Sequence, residues 1–153
     1  MDLSEIIDIT LQRAEQGDPD VSDYYSDLVI KLPEVFSFLF DEDTRLLLEP
    51  EHDYLLFLAM IILEVIGKVE ADISEVRLED LSEAADNNWG LLEFTSLDNL
   101  TATTNSRPAH LLYVFLEDAC TPVSGHEILS EAAVELVYVK CKSLIDCAAF
   151  RRS

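Results

Sequence analysis

Glu49-Pro50-Glu51-His52 is the stretch whose residue types come nearest to a recognisable chemistry, because it contains Glu-x-x-His. That spacing sets two metal ligands on one helix face, as in di-iron bundles, where a second copy and further inward glutamates complete the site. Here His110 and His126 have no glutamate three positions earlier, and Pro50 marks a helix start. A solvated first turn, whose acids suit the helix dipole, accounts for the same residues. Asp41-Glu42-Asp43 opens like a calcium loop, but Leu46 occupies the position that needs glycine and His52 the one that needs glutamate. Cys120 and His126 offer a thiol and a base, with nothing to bring them into one pocket. The four glycines, at 17, 67, 90 and 125, are too scattered for a loop that cradles phosphate. Nucleophile-elbow spacing is absent too. These tests leave no expected catalytic residue, metal ligand or cofactor, although an enzyme can assemble its residues without local signatures.

Acidic side chains are what remain. Glu75, Glu79 and Glu83 recur every four positions, which spaces them about 6 Å apart along one helix face. Glu127, Glu131 and Glu135 repeat the pattern later in the chain. Like charges at that spacing cost a few tenths of a kcal/mol per pair, which a base at i+4 would relieve. Asp86, the cluster Asp41, Glu42 and Asp43, and the pair Asp23 and Asp27 add to the same field. Trp89 lies among them, and aromatic side chains are enriched at interface centres as well as in cores. Glu75, Glu79, Glu83, Asp86, Asp41, Glu42, Asp43, Asp23, Asp27 and Trp89 are the expected partner-binding set. The later glutamates are expected to matter less, because Lys140, Lys142, Arg151 and Arg152 dilute the charge there. Plain solubility is the competing explanation for such a surface.

The charge has a direction along the chain. Residues 1–100 carry a net −20 of the total −21, and residues 101–153 are almost neutral. Such a surface repels phosphate backbones and anionic headgroups, so neither direct nucleic-acid nor membrane binding is expected. It attracts basic proteins. A hydrophobic share of 49% separates the chain from disordered acidic sequences and supports one folded domain over residues 1–153. The longest uncharged apolar run, Tyr54 to Leu63, is too short for a bilayer, which needs about 20 residues. No basic stretch opens the sequence, and three cysteines without a Cys-x-x-Cys motif read as buried thiols, so a cytoplasmic protein is expected.

The elements that must position these acids are helical. Apolar stripes and cap residues predict helices over 3–16, with Asp2 and Glu5 as a capping box, and over 21–31. Phe36, Phe38 and Phe40 alternate like a strand, yet the wider spacing favours a helix over 33–48. Residues 50–69 are apolar all round, which predicts a central buried helix. A short amphipathic helix is expected over 74–87, capped by Ser74 and broken at Asn87-Asn88-Trp89-Gly90. Another follows over 91–100, then a polar loop at 101–106, then helices over 108–119 and 124–149. The last carries a Ser124 to Glu127 capping box. The fold class is all-α, a compact bundle of six to eight helices. The alternative is α+β, with a small sheet from residues 110–115 and 136–141.

Small acidic domains of this type fit a non-enzymatic inhibitor of a basic protein: an immunity or antitoxin protein, or a nucleic-acid mimic. Its partner would be a toxin, a nuclease or a nucleic-acid-binding protein. A helical adaptor that binds a helix or tail, and an enzyme on a helical bundle, are the alternatives. A homo-oligomer stays open.

Overall fold

Asp2 starts the first helix by accepting a hydrogen bond from the Glu5 amide at 2.9 Å, the N-cap its sequence spacing implies. In the computed structural model, residues 2–16, 26, 30–69, 76–121 and 129–148 are described. Helix α1 is Leu3–Glu15, with Ile6, Ile7 and Thr10 buried. The helix expected over 21–31 falls largely outside the described residues. Helix α2 is Pro33–Leu39, with proline in its first turn. It ends well short of the predicted 48. Asp41 takes over the backbone there: Thr44 donates its amide to Asp41 Oδ1 at 3.2 Å and its hydroxyl to Asp41 O at 2.9 Å. A side chain that bonds its own turn competes with helix continuation. A 3-10 turn, Asp43–Leu46, follows.

Helix α3 is Glu49–Lys68, α4 is Leu78–Leu92, α5 is Leu97–Ala102, α6 is His110–Cys120 and α7 is Glu131–Cys147. Among the described residues there is no strand, and the fold is an all-α bundle. The segments 110–115 and 136–141, proposed for a sheet, lie inside α6 and α7. Their β-branched and aromatic residues are helical because burial outweighs intrinsic propensity.

Two other boundaries differ from expectation. The expected break at Asn87-Asn88-Trp89-Gly90 is continuous helix, and the predicted start of this element at Ser74 lies outside the described residues. Asn88 is buried and gives its amide to Ser143 Oγ at 3.2 Å and to Asp146 Oδ2 at 3.0 Å. Its polar groups therefore do not compete with the local backbone. The expected loop at 101–106 is a run of turns after α5 ends at Ala102, with one side chain turned inward: Thr104, fully buried, donates to Thr101 O at 2.7 Å and meets His110 Nδ1 at 3.0 Å. Helix α7 begins at Glu131 behind Ser130, which caps the Ala133 amide; the Ser124 box lies outside the described residues.

Helix α3 is deeply buried, as its all-round apolar pattern predicts, and packs on α1, α6 and α7. Helix α7 packs against α2, α3, α4 and α6. Leu136 to Ile145 is buried without interruption. Nearly three turns without an exposed residue means neighbours on every side. Two lysines lie in that run. Lys140 Nζ donates to Phe38 O at 2.9 Å, pairs with the Asp41 carboxylate, and stands 3.9 Å from the centre of the Phe38 ring. It thereby closes the C-terminal end of α2. Lys142 Nζ donates to Asn88 Oδ1 at 2.8 Å and to Asp146 Oδ2 at 3.0 Å. Asp146 also accepts the Tyr113 hydroxyl at 2.6 Å and lies 3.3 Å from Arg107 Nη1. No described buried side-chain nitrogen or oxygen lacks a partner.

Removing one member of such a pair strands the other charge. Asp41→Ala should destabilise the domain by about 2–3 kcal/mol, at the low end for a buried pair because the Asp41 side chain is 33% exposed. Adding Lys140→Met should recover at least about 1 kcal/mol of that loss in chemical denaturation. Gly90 lies inside α4, and a Cβ there would meet nothing within 4 Å. Gly90→Ala should therefore raise stability by about 0.5–1 kcal/mol, read as a shift of the denaturation midpoint.

Candidate partner-binding surface

Helix α4 divides its circumference sharply. Leu81, Ala85 and Asn88 face the core, while Glu79, Glu83 and Asp86, at spacings of four and three, stand exposed on the opposite side. Glu75, Asp23 and Asp27 lie outside the described residues. Trp89 follows Asp86 by one turn and is half-buried. Its indole lines a groove of about 230 Å³ together with Asp43, Leu46, Glu51, Ala132 and Leu136. The structure thus brings Trp89 and Asp43, far apart in sequence, to one place. Glu42, also exposed, precedes Asp43 at the groove's lip.

Two features of this surface depend on the fold. The 3-10 turn puts Thr44 inward and leaves Leu46 83% exposed, with Leu48 at 67%. Beyond Trp89, at the end of α4, Phe94 is 88% exposed. Large apolar side chains thus stand in water beside carboxylates. The second feature is the start of α7, where Glu131 and Glu135 are exposed and Glu135 lies one turn from the groove-lining Ala132. The expectation that Lys140 and Lys142 dilute this charge is corrected: both are buried, 2% and 5% exposed, and paired with Asp41 and Asp146.

Not every expected acid is presented outward. Asp41 commits its carboxylate to Lys140 and the Thr44 amide, so it acts inside the fold. Glu51 is buried beneath the groove. Its Oε2 accepts the Ser130 amide at 2.8 Å and its Oε1 the Leu48 amide at 2.9 Å. One carboxylate therefore caps the N-termini of α7 and α3 together. The bonds from Ser130 and then Leu48 hold its pKa below the ordinary 4.5, against the opposing effect of burial.

The other chemical candidates take structural positions. His52, in the Glu-x-x-His stretch, has Nε2 3.4 Å from Leu39 O and its ring edge-on to Phe40, centroids 4.9 Å apart. Among the described residues, no three His, Cys, Asp or Glu side chains converge in a way that could hold a metal ion. Burial pushes Cys120 up to about 12 and Cys141 well above the ordinary thiol range. Burial, with Asp146, Asp80 and Glu83 nearby, pushes Cys147 up to about 11. All three are protonated thiols at neutral pH and weak nucleophiles. His126 lies outside the described residues. Among those residues, no helix is long and apolar enough to cross a membrane.

Compared with protein-family profiles, with curated proteins and with solved structures, the chain matches none of them.

Glu51 titrates with a measurable sign. Because its folded pKa lies below the unfolded value, it stabilises the fold fully above about pH 4.5 and loses that contribution as pH falls further. Glu51→Gln should cost about 1.5–3 kcal/mol near neutral pH, since one capped amide loses its acceptor. The difference between wild type and variant should narrow in urea titrations below pH 4.5.

Proposed function

We propose that this protein is a non-enzymatic inhibitor that neutralises a basic protein, using the acidic face built by α4, the Asp43–Leu46 turn and the start of α7. The observation that carries the reading is the pairing of apolar anchors with carboxylates. Trp89 and the 83% exposed Leu46 border one groove, with Glu42, Asp43, Asp86 and Glu135 around it. Such an arrangement divides the work of association. Carboxylates steer a basic partner and raise the on-rate, while desolvated apolar contacts set how long the complex lasts.

An immunity or antitoxin role suits this surface better than nucleic-acid mimicry. Mimicry of a phosphate backbone calls for long rows of charge, and the exposed acids of α4, Glu79, Asp80, Glu83 and Asp86, span only two turns. The partner class is a toxin, a nuclease or another basic nucleic-acid-binding protein, met in the cytoplasm. The acidic face itself disfavours direct nucleic-acid and membrane binding.

Capture from native lysate with stepped salt elution should yield a basic protein released by modest salt, and binding kinetics with that protein then test the surface. Glu83→Lys with Asp86→Lys should lower the on-rate about tenfold at low salt and flatten its salt dependence. Trp89→Ala should raise the off-rate by about tenfold or more. Unchanged rates in variants with normal circular dichroism would remove this surface from the function.

A further inference from the structure

A second groove, of about 640 Å³, runs between α1, α3 and α6 and shares no residue with the Trp89 surface. Its walls are two stripes at helical spacing. On α1, Ser4, Ile7, Asp8, Leu11 and Glu15 follow one another along the whole helix. On α6, Leu111, Val114, Phe115 and Asp118 do the same. Tyr54 and Phe57 of α3 form part of the floor, their rings stacked with centroids 6.3 Å apart. Tyr54 also donates its hydroxyl to Ala119 O at 2.7 Å, which fixes the floor to the end of α6. Leu111 is 44% exposed, although every other leucine of α6 is buried or half-buried.

We infer that this groove docks a basic amphipathic helix. The α1 stripe from Ser4 to Glu15 is about 16 Å long, matching three turns of a partner helix. An apolar floor between two helical ridges receives side chains presented at i, i+3 or i+4, and i+7. Charge names the occupant's flanks. Asp8 and Glu15 stand on one lip and Asp118 on the other, and no lysine or arginine lines the groove. Lysine or arginine on both sides of the partner's apolar stripe would meet those carboxylates.

The chain's own segments complement this rim poorly. Residues 17–25 carry Asp18, Asp20 and Asp23 and no base, and 122–128 carry no lysine or arginine. Residues 149–153 put the basic pair Arg151-Arg152 beside one large apolar side chain, Phe150, and supply no apolar stripe at helical spacing. A second copy brings a net charge of −21 against the same acids.

The test uses synthetic peptides of about 14 residues with a Leu/Phe stripe. One peptide set is flanked by Lys/Arg, a second by Glu, and a third breaks the basic helix with a central proline. Fluorescence anisotropy with the full-length protein should show the basic helix binding with a Kd of about 1–50 μM. The acidic and proline versions should bind at least about tenfold more weakly. Amide shifts should centre on Leu111, Val114 and Phe115. Asp8→Lys with Glu15→Lys and Asp118→Lys should weaken binding about tenfold or more, and Leu111→Ala should weaken it with no charge change. Glu83→Lys with Asp86→Lys should leave peptide affinity within about twofold, which keeps this groove's result separate from that of the Trp89 surface. Equal affinity for basic and acidic peptides, shifts centred on Trp89, self-association that blocks the groove, or no binding by any basic peptide would each overturn the inference.

Discussion

Two lysines of α7 sit inside the bundle, and an ammonium group removed from water must be given partners at fixed positions or it unfolds what surrounds it. Lys140 is met by the last turn of α2 through Phe38 O and by the Asp41 carboxylate. Lys142 is met by Asn88 of α4 and by Asp146 one turn along its own helix. These demands set the placement of three other elements. They end α2 at Leu39 and close the Asp41–Thr44 turn. They carry α4 through an asparagine pair that would otherwise break it. Through Asp146 they also hold Tyr113 of α6. Burial, then the Asp146 charge, raises the pKa of that phenol well above its ordinary value, so it stays a hydrogen-bond donor at any physiological pH.

The same interior arrangement shapes the exterior. Lys140 and Lys142 are withdrawn from the surface along with the two acids that neutralise them, so the exposed carboxylates of α4 and of the start of α7 face water without those bases nearby. Glu51 works in the opposite sense: it is an acid used as a structural cap, joining the starts of α3 and α7 beneath the Trp89 groove. The fold thus sorts chemically identical residues into two uses. Asp41, Glu51 and Asp146 hold helices in place, while Glu42, Asp43, Glu79, Glu83, Asp86 and Glu135 are left to act on whatever approaches. Both grooves pair an apolar floor with exposed carboxylates.

Much of the helical content is legible in the sequence. Asp2 and Glu5, Pro33, Pro50 and the apolar periodicity of α1 and α3 mark their elements, because caps and amphipathic stripes act locally. Polar residues in helical interiors are where local pattern and fold part. Asn87-Asn88 resembles a break, and Lys140 and Lys142 resemble surface bases that hide the most enclosed helix. Each does what its local chemistry favours only if water surrounds it. Asn88 and the lysines instead have partners tens of residues away, and no local pattern records those partners. On the proposed partner-binding surface, Trp89, Asp43 and Glu135 are recognisable singly, but Leu46 is not, since its exposure follows from a 3-10 turn.

Sequence by itself determined the sign of the surface, the helical class of the fold and the absence of any local motif for phosphate or metal binding, because charge, periodicity and motif spacing are additive or local properties. Only the tertiary structure decided which acids are spent inside and which face outward. That choice depends on desolvation and on the hydrogen-bond partners available at each buried charge, and both quantities exist only once distant helices have packed.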